Sequence, residues 1–265
     1  MAQAVETLPM DELLVSRSEN GVVTLTINRP QRKNAIQGEM WEQLRTIFQA
    51  LTRSGTDRVL VITGAGDAFC AGADLGKQAG SVGVFDSMHP VNAAALALHQ
   101  LSKPTIAKVN GDAVGAGMNL ALGCDLIVAG ESARFSEIFV KRALSVDFGG
   151  TWLLPRLVGM HKAKELALLG DILTAAEAAE LGIVNRVVPD AELDAFVDDW
   201  ATRLAAGPPL AMQLSKRMLS NSFGSSFSEA LDGEAAAQTV NFASKDTIEG
   251  VKAFIEKRPP VFRGR

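Results

Sequence analysis

Two runs of small residues carry the strongest chemical signal in the sequence. Residues 66–75 read GDAFCAGADL, and residues 110–118 read NGDAVGAGM. Such runs uncover the main chain where a strand meets a helix, so that backbone N–H groups can approach a ligand oxygen closely. Two such donors on one carbonyl oxygen form an oxyanion hole, which stabilises an enolate or a tetrahedral anion. Taken alone, most such runs only allow a strand and a helix to approach each other closely.

Periodic patterns predict the elements that would position these runs. Alternating apolar and polar residues at 13–28, interrupted by Asn20-Gly21, predict a β-hairpin, and helical spacing predicts a helix at about 38–53. Buried strands are predicted at 59–64, 105–111, 125–129 and 183–188, with helices at 91–102, 114–123, 151–158 and 161–169. After about residue 190 the pattern is helical, with the last helices at 226–244 and 245–257. Alternating strands and helices predict an α/β fold with parallel pairing.

Composition indicates a globular chain with a large core. Its 265 residues are 47% hydrophobic and 21% charged, with a net charge of −4. This charge argues against a nucleic-acid surface, although a few lysines and arginines could still hold the phosphates of a small molecule. Cys70 and Cys124 are expected to be buried thiols in a reducing compartment, and the absence of a Cys/His cluster argues against a metal site.

The amino terminus lacks a basic segment followed by an apolar core, so we expect no secretory signal. No apolar run reaches membrane-spanning length, so we expect no membrane segment. A cytoplasmic location follows as the expectation.

Five segments in a characteristic order carry a family resemblance. They are residues 27–36, 66–75, 110–118, 148–159 and 174–185, and the carboxy-terminal Phe254, Lys257 and Phe262 also fit. From about residue 12 to the end, the chain resembles the crotonase superfamily, the enoyl-CoA hydratases and isomerases. The resemblance implies an α/β fold with a crotonase-like ββα spiral and a C-terminal helical trimerisation region. We expect the spiral core with its coenzyme A site at 1–195 and the helical oligomerisation region at 196–265.

The resemblance also implies a ligand and the groups that hold it. The substrate would be an acyl-CoA thioester, with coenzyme A as part of the substrate, no separate cofactor and no metal. The backbone N–H groups of Ala73 and Ala116 would form the oxyanion hole. Similar proteins assemble as homotrimers or hexamers, and residues of an adjoining subunit reach the bound coenzyme A. The expected coenzyme A contacts are Arg32, Lys33, Ala35, Ala71, Asp74 and Leu75, with Phe254 and Lys257 from the adjoining subunit.

The acid–base residue decides which reaction is expected. Similar hydratases use two glutamates, at positions where this chain has Asn119 and Phe139. Neither side chain can exchange a proton near neutral pH, so a conventional hydratase mechanism is hard to build. Asp147 is the expected replacement, because burial beside Phe148 would raise its pKa from about 3.9 and make it an effective base near neutral pH.

An acid at this position resembles the bacterial isomerases of phenylacetate catabolism. The favoured function is therefore an enoyl-CoA isomerase in which Asp147 moves a proton from C2 to C4 through a dienolate.

Several alternatives remain open. Asp147 could instead cap the helix that follows it. In the same way, the side chain of Asp74 could cap the helix that follows residue 74. Glu137 lies two residues before Phe139 and could serve as the acid. Glu137 or Asp147 would then support a hydratase or another thioester reaction, such as a dehalogenase-like or hydrolase-like one involving His89. A non-catalytic acyl-CoA-binding paralogue is the remaining alternative.

Overall fold

The computed structural model describes residues 11–77 and 84–265. Its strands are β1 (Leu13–Arg17), β2 (Val22–Ile27), β3 (Val59–Gly64), β4 (Ala68–Cys70), β5 (Thr105–Val109), β6 (Asp112–Val114), β7 (Leu126–Gly130), β8 (Arg134–Ser136), β9 (Leu173–Thr174) and β10 (Arg186–Val188). Its α-helices are α1 (Gly38–Arg53), α2 (Val84–His99), α3 (Ala116–Leu122), α4 (Gly150–Leu169), α5 (Ala175–Glu180), α6 (Leu193–Ala206), α7 (Pro209–Asn221), α8 (Phe227–Phe242) and α9 (Lys245–Glu256). Residues 1–10, on which the expectation of no secretory signal rests, lie outside the described residues.

A six-stranded sheet with the order β1-β2-β3-β5-β7-β10 forms the larger layer. The predicted hairpin is present as the antiparallel pair of β1 and β2, whereas the other neighbours pair in parallel. Val23, Leu25 and Ile27 are fully buried, and the intervening residues are only partly covered. This alternation is the period-two pattern of a sheet with one face against the core.

A second, four-stranded sheet has the order β4-β6-β8-β9. Strands β4, β6 and β8 run parallel, and β9 closes the sheet antiparallel to β8. These strands had no signal in the sequence, because two or three residues are too few to display a periodicity. The small-residue run at 66–75 therefore contains a strand of its own.

The chain repeats one unit three times. Each unit contributes a strand to the large sheet, a short strand to the small sheet and then a helix: β3-β4-α2, β5-β6-α3 and β7-β8-α4. This is the α/β ββα spiral that the resemblance implied, followed by a helical carboxy-terminal region. Because the units pair in parallel, the three short strands end at one edge of the small sheet.

Helix α6 packs against the large sheet through an apolar cluster, whose buried members include Val61, Ile106, Val128 and Val197. The predicted boundary between 1–195 and 196–265 therefore falls inside a helix that covers the sheet. The role of the last helices in oligomerisation stays a prediction.

Helix α4 joins the two helices predicted at 151–158 and 161–169. Gly159 lies between them with a φ of 77°, outside the helical range, so the helix is broken at this residue. The sequence placed the break correctly, whereas α2 begins at Val84 rather than at residue 91.

One buried side chain joins the amino-terminal segment to the first small-residue run. The Asn34 amide accepts a hydrogen bond from the Arg29 N–H at 2.9 Å and donates to the carbonyls of Ala65 at 2.8 Å and Ala68 at 2.7 Å. Asn34 is fully buried and has a φ of 58°, which asparagine tolerates better than most residues. It therefore fixes residues 29–36 beside the strand that precedes the predicted oxyanion hole.

We expect Asn34→Ala to lower the free energy of unfolding by about 2–4 kcal/mol, because it leaves buried backbone groups without partners. The change is measured as a shift of the urea midpoint with an unchanged slope. The control is Gln31→Ala, whose side chain is exposed and which should stay within about 0.5 kcal/mol. Equal stabilities of the two variants would contradict the role given to Asn34.

Candidate active site

The two small-residue runs meet at the carboxyl edge of the small sheet. Strand β4 pairs with β6 in the register Ala68↔Asp112, so the segments that follow these strands lie side by side. Gly72 has a φ of 90°, and a Cβ there would lie 2.8 Å from the Val114 carbonyl oxygen and 3.3 Å from the Ala116 nitrogen. Only glycine allows this approach. The structure therefore brings Ala73 and Ala116 into one neighbourhood.

Ala73 has its N–H turned away from the segment beside it. Residues 36 and 73 form a parallel bridge in which Ile36 donates to the Gly72 carbonyl and accepts from the Asp74 N–H, each at 2.8 Å. The Ala73 N–H consequently faces the other side of its segment.

Ala116 is the first residue of α3, so its N–H has no acceptor within the helix. Its helical conformation fits an alanine at this position. Ala73 and Ala116 therefore lie in adjacent segments, and the Ala116 N–H is not used by α3.

Asn119 connects the two acids that the sequence analysis singled out. Its side-chain Nδ2 donates to the Asp147 backbone carbonyl at 3.0 Å and to Glu137 Oε2 at 3.4 Å. Glu137 follows β8, whose pairing with β6 brings it to the same sheet edge as Ala116. Asn119 is completely buried and packs directly beneath Gly150. An asparagine therefore stands between two carboxylic acids.

The two carboxyls have different electrostatic environments. Glu137 is 1% exposed, and burial together with the nearby Asp147 raises its pKa to about 8. Burial raises the pKa of the less deeply buried Asp147 to about 6. At neutral pH, Glu137 is therefore mainly protonated and Asp147 mainly ionised. Such a separation of pKa values is how proteins assign acid and base roles to neighbouring groups.

Asp147 does not cap α4. The helix begins at Gly150, its N-cap residue is Gly149, and no side chain caps it. Asp147 takes part through its backbone, whose carbonyl accepts from the Gly150 N–H at 3.0 Å. Its Oδ1 is buried without a hydrogen-bond partner among the described residues. The carboxyl is thus positioned by its main chain and stays free for a ligand.

The segment that was predicted to contact the adenine and pantetheine of coenzyme A runs beside Ala73. The Ala71 N–H donates to the Lys33 carbonyl at 2.9 Å, and Ala35 is buried nearby. The Asp74 carboxylate accepts from the Gly76 N–H at 3.1 Å and from Arg29 at 3.0 Å, and these bonds lower its pKa. The Asp74 side chain therefore stabilises the turn that contains the exposed Leu75.

Arg29 was missed as a positioning residue by the sequence analysis. Its guanidinium is buried and donates to the Ala35 carbonyl as well as to Asp74. The only available signal was its place inside the family segment at 27–36.

Arg32 and Lys33 lie on an exposed turn, as expected for phosphate-binding side chains. Lys33 Nζ is 2.8 Å from Asp112 Oδ2, and this hydrogen bond raises the pKa of Lys33. Arg134 Nε lies 3.1 Å from the other oxygen of Asp112. The pairing of Lys33 with Asp112 had no signal in the sequence, because the two residues are far apart along the chain.

Phe254 and Lys257 lie at the end of α9 and are exposed, Phe254 to 84%. Lys257 ends the helix in a left-handed conformation with a φ of 52°. Both side chains are therefore accessible to a second subunit.

The whole chain matches known proteins closely. Residues 17–265 match the enoyl-CoA hydratase/isomerase family. The chain belongs to this family. It is 40% identical to the 1,2-epoxyphenylacetyl-CoA isomerase of Escherichia coli over 97% of this chain and 100% of that protein. It is 37% identical to the 2,3-dehydroadipyl-CoA hydratase of the same organism over 97% of this chain and all of the relative.

Solved structures agree with the sequence comparison. An enoyl-CoA hydratase from Bacillus anthracis superimposes with a TM-score of 0.92 at 35% identity, covering 96% of this chain and 100% of the other. The family resemblance inferred from the five segments is thereby confirmed. The chain is an acyl-CoA enzyme of the hydratase/isomerase family.

Three further findings concern the described part of the chain. Within residues 11–77 and 84–265, no three His, Cys, Asp or Glu side chains are grouped so as to hold a metal ion. No helix in those ranges has the length and apolar character needed to cross a bilayer. Both cysteines are buried, and burial raises the pKa of each thiol to about 12.

The raised pKa of Glu137 predicts a pH dependence of stability. Because the folded-state pKa of about 8 exceeds the ordinary 4.5, folding favours the protonated carboxyl. Its contribution is full below the unfolded-state pKa and is lost as the pH rises through 8. We therefore expect Glu137→Gln, relative to the wild type, to gain about 4 kcal/mol in unfolding free energy between pH 5 and pH 9.

Urea midpoints at the two pH values measure this gain. Glu131→Gln, with an exposed side chain, is the control and should show no comparable gain. A pH-independent difference between Glu137→Gln and the wild type would show that Glu137 is ionised in the folded protein.

Proposed function

We propose that the protein is an enoyl-CoA isomerase that shifts a double bond through a thioester dienolate, with Asp147 as the proton shuttle. The observation that carries the proposal is the unpartnered Oδ1 of Asp147, whose backbone is held by Gly150 and Asn119. A carboxylate with a pKa of about 6 is ionised at neutral pH and is a stronger base than an ordinary aspartate. The relative with 40% identity is named an isomerase of another CoA thioester, 1,2-epoxyphenylacetyl-CoA, which supports an isomerisation over a hydration.

The proposed steps need one carboxylate and two main-chain donors. The N–H groups of Ala73 and Ala116 hydrogen-bond the thioester oxygen and stabilise the negative charge that develops on it. Asp147 removes a proton from C2 of a 3-enoyl thioester, the electron pair of the C–H bond enters the conjugated dienolate, and the same carboxyl returns the proton to C4. The double bond moves from C3–C4 to C2–C3, and no other reactant is consumed.

A hydratase is the second candidate, because two carboxyls flank Asn119 and differ in protonation. Glu137 would supply a proton to carbon while Asp147 activates a water molecule. The 37% identical relative is named a hydratase. Addition of water to crotonyl-CoA that requires both carboxyls would favour this reaction over the isomerase.

We expect Asp147→Asn to lower kcat/KM for a short 3-enoyl-CoA by a factor of about 10²–10⁴, because the variant has no base. The reaction is followed by the absorbance of the conjugated thioester. Glu137→Gln should retain isomerase activity, and Asp171→Asn, an exposed acid, is the matched control.

In the wild type, kcat/KM should rise as the pH passes about 6, because Asp147 becomes ionised there.

Loss of isomerase activity only in Glu137→Gln would transfer the shuttle to Glu137. Tight binding of the thioester without turnover on any enoyl-CoA would remove Asp147 from the chemistry altogether.

We also propose that the chain forms a trimer, or a hexamer of two trimers, through its last helices. Large apolar side chains of α8 and α9 are widely exposed, among them Phe227 at 80%, Phe242 at 73%, Phe254 at 84% and Ile255 at 73%. Exposed apolar surface of this extent marks an interaction site in a soluble protein.

Arg32 and Lys33 would bind the phosphates of coenzyme A from one subunit, with Phe254 and Lys257 contributed by its neighbour. Ala35, Ala71, Asp74 and Leu75 would follow the adenine and pantetheine.

Lys257→Ala tests the contribution of the adjoining subunit. We expect KM for the acyl-CoA to rise about three- to tenfold while kcat stays the same, because a phosphate contact is equal in ground and transition states. Lys252→Ala on the same helix is the control, since its side chain is exposed and pairs with Glu256. Sedimentation must show the same assembly for both variants. A monomeric wild type would contradict the shared site.

A further inference from the structure

A tight turn connects Asp147 to helix α4, and its backbone is unusual for the residues that form it. Phe148 and Gly149 both have left-handed conformations, with φ values of 50° and 83°, and the Gly150 N–H donates to the Asp147 carbonyl at 3.0 Å. These are the features of a type I′ turn, whose central positions favour glycine, asparagine and aspartate. A bulky residue with a positive φ is an outlier. Phe148 therefore adopts this conformation against its local preference.

Tertiary packing holds Phe148 in this conformation. Phe148 is 2% exposed, and the centroid of its ring lies 5.4 Å from that of Trp41 on α1, with an interplanar angle of 39°. Trp41 is equally buried and belongs to the same apolar core. Aromatic pairs at this separation stabilise a structure beyond the area that they bury. The ring of Phe148 thus fastens the turn to α1.

The conformation of Phe148 and the position of Asp147 are coupled through one peptide group. The Asp147 carbonyl accepts from the Gly150 N–H and from Asn119 Nδ2, each at 3.0 Å, and these bonds fix the peptide plane between residues 147 and 148. On the amino-terminal side, residues 141–145 are all exposed, so packing restrains that approach less. The direction of the Asp147 side chain therefore depends on the turn that Phe148 maintains.

We propose that Phe148 is a positioning residue: its ring, packed on Trp41, maintains a locally disfavoured turn and thereby holds the Asp147 carboxyl in the geometry for proton transfer. Strained backbone conformations persist where the surrounding structure over-determines them, and they cluster at functional sites. The inference rests on the proposed function, because it relates the strain to the orientation of the proposed proton shuttle. The alternative is that Phe148 only fills the core.

Two variants separate positioning from core filling. Phe148→Gly removes the ring but suits the left-handed turn, whereas Trp41→Leu removes the partner of the ring and leaves Phe148 unchanged. Phe48→Leu is the matched control, because Phe48 is a fully buried aromatic residue of the same helix.

We expect Phe148→Gly and Trp41→Leu to lower kcat for a short 3-enoyl-CoA about ten- to a hundredfold, because the carboxyl is misplaced. KM should change less than about threefold, because the contacts that bind the substrate remain. Phe48→Leu should keep the wild-type kcat, although it is less stable. Circular dichroism shows that each variant is folded at the assay temperature, and Trp41→Leu provides the same test if Phe148→Gly does not fold.

The ionisation of Asp147 gives a readout that needs no turnover. Carbon-13 NMR of labelled aspartate carboxyls follows the titration, and Asp147→Asn identifies the Asp147 signal. Glu137→Gln is present in every sample, so that the neighbouring carboxyl does not titrate. We expect the pKa of Asp147 to fall from about 6 towards its ordinary 3.8 in Phe148→Gly, because a turn released from the core lets water reach the carboxyl. Phe48→Leu should leave this pKa unchanged.

Wild-type kcat together with an unshifted pKa of Asp147 in Phe148→Gly would overturn the proposal, as would an equal loss of kcat in Phe48→Leu and Trp41→Leu. Full isomerase activity in Asp147→Asn would instead refute the proposed reaction. A lowered pKa of Asp147 in Phe148→Gly would then still support the anchoring of this carboxyl by Phe148.

Discussion

The parallel pairing of three short strands is the constraint on which the site depends. Strands β4, β6 and β8 are only three residues long, yet their register brings three distant segments of the chain to one sheet edge. Ala73, Ala116 and Glu137 each lie just beyond the end of one of these strands. The positive φ of Gly72 then lets the first two segments touch. Each ββα unit of the spiral therefore brings one segment of the candidate site to the same sheet edge.

Burial gives the carboxyls of Glu137 and Asp147 different protonation states at neutral pH. Glu137 and Asp147 share one neighbour, Asn119, but Glu137 is the more deeply buried. Desolvation favours the neutral form of a carboxyl, so the more deeply buried Glu137 keeps its proton. The nearby ionised Asp147 strengthens this preference. The arrangement gives two residues of similar chemistry different protonation states at neutral pH. Asn119 holds both in position without adding a charge.

The sequence predicted what has a local period. The hairpin and α1 show alternating or helical spacing, and the buried strands β3, β5 and β7 are mainly apolar runs. These patterns extend over five to sixteen residues, which is enough to predict the elements. Strands β4, β6 and β8 are too short for such a signal. The break in α4 could be anticipated because Gly159 interrupts the helical pattern. The earlier start of α2 could not, because nothing in the sequence marks its first turn.

The candidate site was predicted in its members but not in its connections. Resemblance pointed to Ala73, Ala116 and Asp147, and the spacing left Glu137 as an alternative to Asp147. Only tertiary structure places Asn119 between the two acids, because the contact joins segments 18 and 28 residues apart. The pairing of Lys33 with Asp112 spans 79 residues and is equally invisible to local patterns.

Asn119 has a consequence for how members of this family are sorted by sequence. A comparison made column by column would find an amide and a phenylalanine where similar hydratases carry glutamates, and would class the chain as catalytically dead. In the folded chain, however, two ionisable residues, Glu137 and Asp147, lie around Asn119, and both belong to the segment between β8 and α4. Acidic side chains near Asn119 are therefore recognised by their place in the fold and not by their place in an alignment.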